Sequence, residues 1–362
     1  MSMKAGVLVA VAALGACSSD DVTPYSITIT GDEHLVYLAA QDGDGAWQRL
    51  NLDAAGQATF EVTHGYHGVA WACAFGSTKP NALTVRYDAG AEAGPQRPCG
   101  AVVPTATLSG AINPSEAELW IGPYVGLIHQ PGTYAEALPL GRYDVVATAG
   151  NRLAIYRDQQ LDADRTLDLD VAATGVDLTS VTPTVTGAGA DPVSLYAEIL
   201  TVNQTYVRHP DASPAALIVP AARRVVGDRV VIGAERGTAQ VGAAIQREIV
   251  GDALPALEFA PLPALEVDRA GVRFGAGWEF TAVAYRASAV PGLRARATIT
   301  AAWADASGAT AQPLLDAAAL PGWDPAWPTI APATAIAIDA WAGIGDLSGD
   351  YQTAWASVDA TW

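Results

Sequence analysis

The residues able to do chemistry are few and scattered. Asp42-Gly43-Asp44-Gly45 places two carboxylates in a tight turn. Calcium takes several carboxylate and carbonyl oxygens from such turns, which makes Asp42 and Asp44 candidate metal ligands. The rest of an EF-hand loop is missing, however, and a hairpin turn needs the same glycines for their positive φ. A second acidic group follows in Asp162, Asp164, Asp168 and Asp170. On an extended strand Asp168 and Asp170 share one face. There they either hold calcium together or form a solvated surface opposite Leu167 and Leu169. His64 and His67 stand three apart beside Tyr66. A zinc site needs further ligands, and with five histidines and no HExxH the pair reads as surface-turn residues.

Other catalytic patterns are missing from the sequence. GxSxG, which presents a serine nucleophile, does not occur. The glycine-rich run 343–349 has no strand-to-helix context and reads as a loop, not a phosphate cradle. No pair of acids stands out for glycoside hydrolysis among so many. The tryptophans carry more promise, and seven of the ten lie from Trp278 onward. Trp323-Asp324-Pro325-Ala326-Trp327-Pro328 cannot be an interior strand, because its prolines lack ladder donors. Trp323 and Trp327 are therefore loop rings. Exposed, they would stack on a sugar; buried, they would plug a core. Trp341, Trp355 and Trp362 fall in strand-like stretches.

The elements that must position these residues are strands. Apolar and polar residues alternate in Ile27-Thr28-Ile29-Thr30, in Leu83 to Tyr87, in Leu167 to Val171 and in Leu293 to Trp303. Period two with frequent Gly, Pro, Asp and Asn breaks predicts an all-β chain of antiparallel sandwiches. One short helix is expected over 313–320. Thr59-Phe60-Glu61-Val62 before Gly65-Tyr66-His67-Gly68-Val69-Ala70 is echoed by Thr133-Tyr134 before Gly141 to Ala147. That weak repeat predicts two small β-domains, 22–104 and 105–185, with a larger β-domain over 186–362.

The segment 105–185 also resembles the prealbumin-like sandwiches related to carboxypeptidase regulatory domains. Leu108-Ser109-Gly110, Gly132-Thr133-Tyr134 and Leu138-Pro139-Leu140-Gly141-Arg142-Tyr143-Asp144-Val145 carry the resemblance. His129-Gln130-Pro131 replaces the usual Thr-Asp. The resemblance implies an Ig-like or prealbumin-like spacer and no chemistry.

Lys4 followed by the apolar run Ala5 to Ala13 reads as a signal peptide over 1–16, too short to span a bilayer. Leu14-Gly15-Ala16-Cys17 resembles the lipobox of bacterial lipoproteins. That resemblance implies acylation of Cys17, a tether over 17–21 and an exported chain held to the membrane by lipid. Ser18 after the cysteine implies the outer membrane in a Gram-negative cell. Cys73 and Cys99 remain, and an even pair in an exported protein reads as a disulfide. With 38 acidic and 20 basic residues the chain carries a net charge of −18, which argues against nucleic-acid binding. The expectation is a non-catalytic envelope protein without a cofactor, calcium being the one ion its turns suggest. Its partners would be an envelope protein or a glycan.

Overall fold

Alternating residues build strands here because one face of each can be buried while the other stays wet. The computed structural model describes residues 23–31, 34–74, 79–80, 82–91, 98–99, 103–123, 125–126, 132–209, 215–251, 253–268, 270–287, 294–313, 315–330, 335–345 and 350–361. The signal peptide, Cys17 and the tether lie outside the described residues, as do His129 to Pro131. The fold is all-β, with only two short α-helices and two 3-10 turns among the described elements. No described helix is long and apolar enough to cross a membrane.

One twelve-stranded sheet dominates. From one edge to the other it runs Tyr206–His209, Val193–Leu200, Arg229–Gly237, Val241–Glu248, Tyr351–Thr361, Ala335–Gly345, Phe280–Ala287, Arg294–Thr300, Ala82–Ala89, Tyr66–Cys73, Leu35–Asp42 and Gln48–Arg49. Every neighbour is antiparallel except one. Ala82–Ala89 and Arg294–Thr300 run parallel, with Leu83 opposite Ala295, Val85 opposite Ala297 and Tyr87 opposite Ile299. All six side chains are buried in one core. The Thr300 hydroxyl closes the seam on Asp88 at 2.9 Å.

This sheet corrects the expected division. Residues 22–104 do not make a separate sandwich. Only Tyr25–Thr30 and Gln57–Val62 form their own two-stranded sheet, and it packs over Leu38, Ala40 and Val69 of the large one. The remaining strands of 22–104 continue the sheet of 186–362, because residue 82–89 alternation matches that of 294–300 across the seam. Residues 105–185 do form two sheets around a core of Leu108, Leu119, Ile121, Leu138, Val145 and Leu161. In both halves of the repeat the first strand and the second belong to different sheets, so each repeat is a turn from one layer to the next.

Local readings shift in three places. The expected strand through Trp303 stops at Thr300, whose hydroxyl caps a helix, Ala301–Ser307, by accepting from Trp303 N–H. Pro313 to Leu320 gives a single 3-10 turn, Ala317–Ala319, capped by Asp316. Leu167 to Val171 yields only a two-residue bridge and the start of a one-turn helix. The expected disulfide is present between Cys73 and Cys99. It brackets the Ala82–Ala89 strand at the seam.

Arg157 ties the two sheets of 105–185 to the large sheet. Its guanidinium bonds Asp144 at 3.1 Å and both oxygens of Asp228 at 2.7 and 2.6 Å. Both carboxylates are fully buried. Burial alone would raise the Asp144 pKa; donors from Asn203, Asp158 N–H and Thr201, with the Arg157 charge, reverse that and lower it. Removing the cation strands two buried carboxylates. Arg157→Met should therefore cost about 3 kcal/mol or more in urea unfolding. Arg142→Ala, which breaks the exposed pair with Asp158, should cost under about 1 kcal/mol. Equal effects would show that the clamp holds nothing together.

Candidate functional site

The residues singled out by type are mostly occupied by the backbone. Asp42 accepts from Thr63 N–H, His64 N–H, the Thr63 hydroxyl and His64 Nδ1. Burial opposes its charge, but these four donors outweigh it and hold its pKa down to about 2. Asp42 is thus the acceptor that fixes a turn, with Gly43 at φ +55°. Asp44 is exposed and faces the Tyr66 phenol. No group of three or more His, Cys, Asp or Glu side chains able to hold a metal occurs among the described residues.

The second acidic group has the same fate. Asp164 accepts from Thr107 N–H, Asp168 from Ala111 N–H and Asp170 from the Asn113 side chain. Each partner lies 57 residues earlier, so the acids run in register along the edge of Thr105–Asn113. Asp164 and Asp168 stand in for ladder carbonyls. Asp170 also caps the following helical turn through Ala173 N–H.

His67 is not a surface-turn residue. It is 1 % exposed within Tyr66–Cys73, with Nδ1 2.9 Å from the Tyr25 hydroxyl. Burial pushes its pKa down to about 4. Its neighbour His64 remains in the exposed turn. Trp323 is likewise buried, at 7 % exposure, and Trp327 is half-buried. Their rings meet edge to face at 5.1 Å, and Trp323 meets Tyr37 at the same distance. Asp324 draws the loop tight by accepting Ala326 N–H. The loop is a plug over the core, so Trp323 offers no sugar platform.

A concentration of polar and aromatic side chains lies elsewhere, on the face of the large sheet opposite its main core. Alternation places Tyr196 and Glu198, Tyr206 and Arg208, Glu235, Gln246, Tyr351 and Trp355 on this face. Two glycines shape it. A Cβ on Gly233 would lie 2.2 Å from the Tyr196 ring, and one on Gly242 would lie 2.1 Å from Trp355. Each ring therefore lies against bare backbone, the close approach that a strand glycine permits. The Arg208 guanidinium covers the outer face of Tyr196 at 3.9 Å and reaches Glu235 at 2.7 Å. Trp355 donates its indole N–H to Thr238 O at 3.0 Å. With Ser194, Glu235 and Thr238 it borders an open depression of about 260 Å³. Trp341, 39 % exposed, stands directly opposite Trp355 on the next strand.

Glu198 is the buried acid of this face, 4 % exposed. Its pKa is raised chiefly by burial; the Tyr206 hydroxyl, which donates to it, and Arg208 limit the rise, and Glu235 adds to it. Sequence reasoning missed the cluster because its members come from five strands. The one local signal was Tyr196 and Glu198 at alternate positions, polar where a buried strand should be apolar.

Because the folded pKa of Glu198 exceeds its ordinary 4.5, the folded state keeps a proton that the unfolded state releases. The penalty of ionising in place grows as pH rises from 4.5 through the raised pKa. Glu198→Gln removes that penalty. The stability of the variant relative to wild type should rise over this interval and be level below it. Urea unfolding of both proteins from about pH 4 to about pH 8 reads the difference; a gap independent of pH would mean that Glu198 ionises freely. Compared with known proteins, the chain matches no family model and no curated protein.

Proposed function

We propose that this protein is an exported, lipid-anchored binding protein of the cell envelope, without a catalytic step of its own, whose open sheet face receives a saccharide. The lipobox-like Leu14-Gly15-Ala16-Cys17 and the Cys73–Cys99 disulfide support the address, since disulfides persist in oxidising compartments. The acidic surface fits a soluble ectodomain outside the cytoplasm.

One observation carries the ligand class: the Trp355 ring packed against Gly242 at the rim of the 260 Å³ depression. An indole at such a rim can offer its π-face to the axial C–H groups of a pyranose. Ser194, Glu235 and Thr238 supply hydroxyl and carboxylate partners for sugar hydroxyls around it. Trp341 extends the aromatic surface by one strand, far enough to meet a second sugar ring. The acids of the face favour binding over hydrolysis, because Glu198 is tied to Tyr206 and Glu235 to Arg208.

The test is titration with envelope polysaccharide fragments and neutral and amino-sugar oligosaccharides by calorimetry. Trp355→Ala should weaken binding about tenfold or more, and Trp355→Phe should keep most of it. Trp323→Ala should instead lower stability by about 3 kcal/mol and leave affinity per folded molecule unchanged. Wild-type affinity in Trp355→Ala would sink the saccharide reading.

A further inference from the structure

The exposed apolar side chains are not spread evenly. Val202, Val225, Val226, Val250 and Leu254 are all exposed large apolar residues, Val226 at 99 % and Val250 at 79 %. They sit on three turns that the hydrogen bonds fasten together. Asp228 accepts from Val202 N–H and Val225 N–H. Arg224 donates to Gly251 O at 3.0 Å, and Ile249 N–H to Val230 O at 2.8 Å. The Arg157 clamp holds Asp228 from beneath. These bonds tie the turns into one apolar tip. Arg223, exposed, and Arg224 flank it, and with Arg157 they line a depression of about 290 Å³. Arg157 is spent on Asp144 and Asp228; Arg229 is paired with Glu248. Arg224 is engaged with Val219 O and Gly251 O, so Arg223 is the exposed cation beside the valines in a chain of net charge −18.

The strand registers fix which end of the sheet bears this tip. Leu200 pairs with Arg229, Val231 with Glu248 and Gln246 with Tyr351. The same end continues through Gly345 and Thr300 to Tyr87, Ala89 and Tyr66. Tyr25 stands there too, its hydroxyl bonded to Gly65 O and Gly90 N–H. The eight residue steps from Cys17 to Tyr25 reach at most about 29 Å. An acyl anchor on Cys17 would therefore tie the chain to the bilayer at the end of the sheet that bears the tip.

We infer that the valine tip is a second membrane contact: Val225, Val226 and Val250 enter the interfacial zone of the lipid while Arg223 meets its phosphates. The contact rests on the lipid-anchor reading above. Paired weak signals of this kind give stable and oriented attachment where one apolar tip alone would not. It would hold the ectodomain in one orientation, with the opposite end of the sheet, where Val241 is exposed, pointing away.

The experiment uses the full chain, purified as produced and reconstituted in vesicles of phosphatidylethanolamine and phosphatidylglycerol. The vesicles carry a phospholipid with a photoactivatable acyl chain, and adducts are mapped by mass spectrometry. Intact mass reports acylation of Cys17 separately, so failure of the anchor is read independently of the tip. Adducts are expected on 221–228 and 249–251 and not around Val241. Val226→Asp with Val250→Asp, both at exposed positions, should reduce them about fivefold or more at unchanged thermal midpoint. Adducts confined to the N-terminal peptide, or equal at the two ends, would overturn the inference. So would a chain that lacks acylation and gives no tip adduct, or native envelopes in which the tip crosslinks to protein and not to lipid.

Discussion

A single parallel register holds this molecule together. Strands 212 positions apart, at Asp88 and Thr300, lie side by side, and every other pairing in the large sheet is antiparallel. Parallel neighbours cannot be joined by a hairpin, so the chain must leave and return. It leaves as the two sheets of 105–185 and the Val193–Glu248 strands, and returns through Phe280–Ala287. The main core depends on that return. Tyr37, Leu83 and Val85 come from the first stretch, and Ala297, Ile299, Ile338 and Ala340 from the second. Neither set covers the other's apolar face unless the seam is made. The Trp323 and Trp327 loop then closes the core from above, its rings against Tyr37.

The opposite face of the sheet has a different economy. Among the described residues no apolar cluster packs on this face around Gly233 and Gly242, yet Tyr196, Glu198 and Gln246 are almost fully buried. The large rings bury them. Tyr196 on Gly233 and Trp355 on Gly242 lie along the backbone instead of standing away from it. Arg208 then stacks on Tyr196, and Tyr206 bonds to Glu198. A polar layer results whose acids are paired within it, and it borders the open depression at the Trp355 end. The glycines are the condition for this, because any Cβ would lift the rings.

The acidic character of the chain serves the backbone as much as the surface. Asp42 fixes one turn, Asp164, Asp168 and Asp170 run along one strand edge, and Asp144 with Asp228 clamps two layers. A carboxylate that accepts two or three N–H donors has little left for a cation. Clusters of Asp in a β-protein are thus ambiguous until the donors opposite them are known, and here several of those donors come from distant segments, up to 71 positions away.

Alternation by itself determined the all-β class, and with it the Tyr25–Thr30, Gln57–Val62, Ala82–Ala89 and Arg294–Thr300 strands, because a period of two needs no partner to be read. Cysteine parity determined the Cys73–Cys99 pair. The glycines of Asp42 to Gly45 determined a turn. Tertiary structure decided which strands pair, since the same alternation fits any neighbour and only the buried faces select one. That is why 22–104 looked like a closed sandwich and is in fact one end of a shared sheet. It also decided burial: Trp323 and His67 are inside because a core and a tyrosine hydroxyl stand opposite them, facts that no local window contains. The candidate site, from Tyr196 to Trp355, exists only because five strands distant in sequence turn their polar positions to one side.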